Sequence, residues 1–148
     1  MERDDYHIVL LGDGDTIWVD NLITNSGIKD KVSTFRFQDP VEFYSAFDIF
    51  VLPSRNEGFP LVALEAMMMG IVTIRSNVSG AYDMISNGNT GFIFENENVE
   101  QLRELIDYLL DNEEEVIRVS NNGKINVLNK FTEDIMIENT LNVYRTLV

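Results

Sequence analysis

The chain has 148 residues, 45% of them apolar and 24% charged, which suits a packed globular domain and excludes a disordered or fibrous chain. It has no cysteine and one histidine, His7, so disulfide frameworks, thiolate zinc sites, cysteine nucleophiles and multi-histidine metal centres are excluded. Eleven Lys and Arg against 25 Asp and Glu give a formal charge of −14, which repels nucleic acid and anionic lipid alike.

No apolar run nears the roughly 20 residues of a membrane span, and the charged start at Met1 leads straight into a strand rather than a signal peptide. A cytoplasmic chain is therefore expected. In chain order, the first element is an apolar strand over 7–11 (HIVLL), too short for a helix and ended by Gly12. Ile17, Trp18, Leu22 and Ile23 then form a helical stripe over about two turns. A second strand over 32–37 precedes Asp39 and Pro40, the N-cap and first helical residue of VEFYSAF. The strand over 48–52 (DIFVL) passes through PSRNEGFP into the helix PLVALEAMMMG, closed by Gly70. A strand over 71–75, a short helix in SGAYDMI and a strand over 91–94 complete the alternation. Continuously apolar strands such as HIVLL, DIFVL and IVTI require cover on both faces.

Strand alternating with helix implies right-handed crossovers, so the expected fold is α/β, a doubly wound, Rossmann-like parallel sheet of about five strands. Helices alone follow. Asn98 caps VEQLRELIDYLLD with Gln101 at the third helical position, and Asn112 is placed to cap the next. The stretch SNNGK predicts a helix break at Gly123, and Thr132 opens a last helix with Ile137, Leu141 and Tyr144 on one face. Residues 1–148 read as one domain, with no linker or repeat. The acidic excess is local: positions 95–115 hold nine carboxylates and only Arg103, a net −8, which reads as a solvated helix face.

In an open α/β sheet a ligand binds beyond the carboxyl ends of the strands, so three loops matter. In the first, LGDGD, Gly12 and Gly14 allow a tight turn and a close approach of backbone to ligand, but the dinucleotide pattern fails at Ile17. Asp13 and Asp15 form an acidic pair of the kind that holds a divalent cation, although turn and cap roles explain them better. The second, PSRNEGFP, holds Ser54 and brings the backbone of Gly58, Phe59, Pro60 and Leu61 to a helix N-terminus, the strongest anion site in the chain. Glu57 stands before that helix and Glu65 inside it. Carboxylates accept from vicinal hydroxyls, which suits Glu57 to a sugar ring and Glu65 to a ribose. The third, SNVSG at 76–80, adds the Gly80 amides and small hydroxyls to the same crevice or is an ordinary turn. His7, at a strand start, reads as structural and Met67 to Met69 as helix packing; Arg36, Arg55 and Arg75 follow or end strands, where each is a solvated side chain or, less favoured, a cation in reach of a diphosphate.

The strings FYSAFDIFVLPSRNEGFPLVALEAMMMG and SGAYDMISNGNTGFIF, with LLGDGD upstream, resemble the C-terminal, donor-binding domain of retaining GT-B glycosyltransferases, the group with two glutamates eight positions apart. The resemblance implies that Glu57 contacts the transferred sugar near the reacting centre and that Gly58, Phe59, Pro60 and Leu61, with Ser54, hold sugar and diphosphate. It implies that Glu65 binds ribose hydroxyls and that Gly12 and Gly14 line the crevice facing an acceptor domain. The substrate it implies is a nucleotide sugar, with no metal or other cofactor, and a saccharide or lipid-linked acceptor held by a missing domain or partner chain. The family's preceding strand and loop carry an arginine and a lysine for the leaving diphosphate. Without that electrostatic term the isolated chain is expected to be inactive in transfer. In the strand order 3-2-1-4-5-6 that strand is central, so the strands beginning at His7 and Asp48 pair directly or a partner chain fills the gap. Arg36 stands where the family generally has glycine, and Asp15 where it often has proline.

Two other readings compete. A noncatalytic doubly wound interaction domain is favoured by the acidic 95–115 face and disfavoured by the ordered PSRNEGFP string. A metal-dependent transferase would use Asp13 and Asp15.

Overall fold

The short apolar runs form strands and the stretches between them helices, as their side-chain periods require. The computed structural model describes residues 3–14 and 16–147, which divide into two units, 1–42 and 43–148. In the smaller unit β1 (Ile8–Leu11) lies parallel to β2 (Val32–Phe35), with Ile8 opposite Val32 and Leu11 opposite Phe35. They are connected through α1 (Ile17–Asn25) and a 3-10 turn at Lys29–Lys31. His7 Nε2 meets Ser33 Oγ at 2.9 Å, so the one histidine ties the two strands together, the structural place expected of it.

No described residue of this unit is fully buried. Its α1 stripe faces outward, with Ile17 71%, Trp18 63% and Leu22 57% exposed. The two-sided cover expected for HIVLL is likewise not found: Ile8 and Leu10 are exposed, because two strands and one helix supply too little apolar surface to cover both faces. At the end of the unit Asp39 Oδ1 accepts the Val41 N–H at 3.0 Å, capping α2 (Val41–Tyr44), a shorter helix than the run VEFYSAF suggested.

The larger unit holds all of the buried apolar core. Here β3 (Ile49–Leu52), β4 (Val72–Ser76) and β5 (Phe92–Phe94) make a parallel sheet in the order β3-β4-β5. The connections are α3 (Leu61–Met68) and α4 (Ala81–Met84), and three helices follow: α5 (Val99–Leu110), α6 (Glu113–Lys130) and α7 (Glu133–Arg145). Every residue of β4 is buried. One apolar cluster gathers Ala63, Leu64 and Met67 of α3 with Met84, Ile85, Ile93 and Val127. Another gathers Val72 and Ile74 with Phe92, Phe94, Leu109 and Val119. The alternation of Ile93 with Phe92 and Phe94 shows a sheet covered on both faces, as a parallel sheet requires. Burying a side chain such as Met67 or Ile74 contributes about 1.5–3 kcal/mol.

The five expected strands are present in two sheets rather than one. Among the described residues β1 has β2 and β3 has β4 as its strand neighbour. Two helix caps agree with their sequence signals: Asn98 Oδ1 accepts from Gln101 N at 3.0 Å, and Thr132 Oγ1 from Ile135 N at 3.4 Å. Asn112 differs, making no side-chain cap for α6 and donating from Nδ2 to the Tyr108 carbonyl at 2.6 Å. The break expected at Gly123 is also absent, since α6 runs through it. A Cβ at Gly123 would stand 2.8 Å from the Thr90 carbonyl oxygen, so this glycine serves close packing of the helix on the turn before β5.

Candidate functional site

The site is built where β3 runs out. Past Leu52 the chain turns at Pro53, and Pro60 takes the N-cap position of α3 in an extended conformation, φ −71° and ψ 112°. No side chain caps this helix. The Ala63 N–H donates to the Pro60 carbonyl at 3.2 Å, while the N–H groups of Leu61 and Val62 lack intrahelical partners by geometry and carry the positive end of the helix dipole.

Glu57, half-buried just before that helix, accepts a hydrogen bond from Ser54 Oγ at 2.7 Å. The Ser54 carbonyl accepts in turn from Ser76 Oγ, at the end of β4. A second stitch joins the same two loops. Gly80 has φ +74°, and a Cβ there would lie 2.7 Å from the Gly58 carbonyl oxygen, so only glycine lets the turns approach. Of the other predicted residues, Pro60 is buried and Gly58 and Leu61 are exposed. Phe59 sets its ring 5.5 Å from that of Phe131.

Glu65, also half-buried, lies on α3 and is held by Tyr44, a residue that no motif marked. The Tyr44 phenol donates to Glu65 Oε2 at 2.9 Å and lies 3.2 Å from the Val62 carbonyl. Tyr44 is 2% exposed. The carboxylate keeps acceptor capacity on Oε1 for a hydroxyl pair. The 21-residue separation of Tyr44 and Glu65 is set by the fold, so no local spacing could have announced it.

Arg75 corrects an expectation. Read as a solvated cation, it is 0% exposed, at the end of β4. Nη2 donates to the Ser79 carbonyl at 3.3 Å and Nη1 contacts Met84 Sδ at 3.6 Å, while Nε has no partner. Burial lowers the guanidinium pKa from its ordinary value, and the charge of Glu57 opposes that shift. A signal did exist, because Arg75 continues an apolar parallel strand whose interior position was already expected. Arg55 differs, pairing with Glu97 at 2.8 Å on the surface.

In the smaller unit a cavity of about 530 Å³ is lined by Gly12, Asp13, Gly14, Thr16 and Arg36, among others. Asp13 Oδ1 accepts the Phe37 N–H at 3.3 Å, a turn role. Asp15 lies outside the described residues. A cavity of about 330 Å³ in the larger unit is lined by residues that include Pro53, Arg55, Phe94 and Glu97. Glu57 and Glu65 line neither cavity. Among the described residues, no helix is long and apolar enough to cross a membrane.

Residues 1–126 match the family described as "Glycosyl transferases group 1". The capsular polysaccharide biosynthesis glycosyltransferase CapM of Staphylococcus aureus is 36% identical over 110 residues, covering 74% of this chain and 29% of CapM. A glycosyltransferase structure from Rickettsia africae matches with a TM-score of 0.89 at 27% identity, over 96% of this chain and 40% of that one. The C-terminal domain of a group 1 family glycosyl transferase, LpcC of Francisella tularensis, shares the fold with a TM-score of 0.80 at 23% identity, over 89% of this chain and 73% of that one. The chain thus spans well under half the length of CapM and of the Rickettsia protein. A family match over most of the chain, on a shared GT-B, Rossmann-like fold, means that the chain belongs to the group 1 glycosyl transferases and has the fold of the LpcC C-terminal domain.

Proposed function

We propose that residues 1–148 form one donor-binding domain that holds a nucleoside-diphosphate sugar for retaining transfer of its glycosyl group to an acceptor. One observation carries the reading: two carboxylates flank the uncapped start of α3, and each is fixed by a neighbouring hydroxyl, Glu57 by Ser54 and Glu65 by Tyr44. Glu57 takes the transferred sugar near its anomeric carbon, and Glu65 takes the ribose hydroxyls. The backbone of Gly58, Phe59, Pro60 and Leu61, with Ser54, holds sugar and diphosphate. In the smaller unit Gly12 and Gly14 line a crevice toward the acceptor domain.

In transfer, the bond from the anomeric carbon to the diphosphate oxygen breaks, one to an acceptor hydroxyl oxygen forms on the same face of the ring, and the hydroxyl proton passes to the nucleoside diphosphate that leaves. Peptide N–H groups at a helix start stabilise the diphosphate charge, so no metal or other cofactor is assigned. The acceptor, a saccharide or a lipid-linked one, is bound by a further domain or partner chain. The name of CapM, which places that relative in capsular polysaccharide biosynthesis, supports such an acceptor. The reading puts the domain's work in the cytoplasm, and the lack of a membrane-crossing helix among the described residues is compatible with that.

Calorimetric titration with UDP and GDP tests the proposal. Binding by the unaltered chain is expected, and Glu65→Ala should weaken it by about tenfold to a hundredfold, the worth of hydrogen bonds to a charged group. Absence of binding, or binding indifferent to the substitution, overturns it. The second reading, a noncatalytic interaction domain, is favoured by the exposed apolar residues of α1 and by Ile137, Leu141 and Tyr144 of α7. A ligand-silent chain that captures a protein partner would support it.

A further inference from the structure

We propose that Arg75 is a positioning residue of this donor site, a buried cation that offsets the charge of Glu57 and favours a diphosphate at the loops above it. The inference rests on the donor-site reading. A guanidinium carries five N–H donors and keeps its charge, so burying one without a carboxylate or phosphate is costly. Arg75 has only the Ser79 carbonyl, the Met84 thioether and an unsatisfied Nε. Among the described residues it forms no ion pair, whereas Arg55, Arg103 and Arg118 on the surface of the same unit each pair with a carboxylate.

Its location gives that unpaired charge a use. Ser79 belongs to the turn that Gly80 presses against Gly58, and Ser76, the next residue on the strand, holds the loop carrying Glu57 through the Ser54 carbonyl. The guanidinium lies against the Ser79 carbonyl of that turn and within electrostatic reach of Glu57. A carboxylate at that place repels an incoming diphosphate. A fixed cation below it cancels the repulsion and adds to the partial positive charge at the uncapped start of α3. Had Arg75 only filled space, a methionine would serve the interior as well or better.

The experiment compares UDP with uridine, by NMR shift titration, on the full 148-residue chain and on Arg75→Met, Arg75→Gln and Arg75→Lys. The neutral variants should lose on the order of tenfold in UDP affinity while uridine binding stays unchanged, and Arg75→Lys should recover most of the loss. Arg75→Gln keeps a donor for the Ser79 carbonyl and carries the comparison if Arg75→Met does not fold. An unchanged UDP-to-uridine ratio in a folded neutral variant overturns the inference and leaves the donor-site reading standing. An unaltered chain that binds no UDP and no GDP removes that reading and the inference with it.

Discussion

Tyr44 fixes Glu65 by one phenolic hydrogen bond, and its ring also packs against Phe50 at 6.4 Å, so the hydroxyl can be removed without emptying the core. Tyr44→Phe should therefore cost about 1–2 kcal/mol in urea denaturation and weaken UDP binding less than Glu65→Ala does. A variant as stable as the parent would mean that the phenol does not hold the carboxylate in solution. At this scale the sequence reveals the acids and conceals their partners. Glu57 and Glu65 could be picked out because they flank a helix start within one short string. Tyr44 reaches Glu65, and Ser76 the loop that carries Glu57, only through tertiary folding, and Arg75 was misjudged because its charge was weighed above the apolar strand that carries it.

The elements were most legible where one residue type has one physical use. Asp39, Asn98 and Thr132 each accept a backbone N–H at the helix start they were expected to cap. Glycine and asparagine have several uses, and there pattern reading fails. Gly123 looked like a helix break because the residues around it are polar, yet it is the point where α6 lies against the Thr90 carbonyl. Alanine at 123 gains about 1 kcal/mol of helix propensity and places a methyl group 2.8 Å from that oxygen. Overpacking costs typically about 1–3 kcal/mol, so Gly123→Ala should lower Tm. A raised Tm would show that the helix can shift away freely.

Across the whole molecule, composition indicated a packed chain and the alternation of apolar runs an α/β fold of about five strands, but neither reports how the core is shared out. All residues that are fully buried belong to 43–148, and β1, β2 and α1 contribute none among those described. Local opening free energy follows buried apolar contact, so amide hydrogen exchange should be slow in α3, β4 and the middle of α6 and fast throughout 8–35. Uniform protection across both units would contradict that distribution. The stitch between Gly58 and Gly80 also constrains how such domains are recombined. A chimera whose crossover falls between those positions inherits its two turns from different parents, and where the parent supplying position 80 has a residue other than glycine, its β-carbon meets the carbonyl of position 58. Swaps that carry 53–80 as one cassette escape that mismatch.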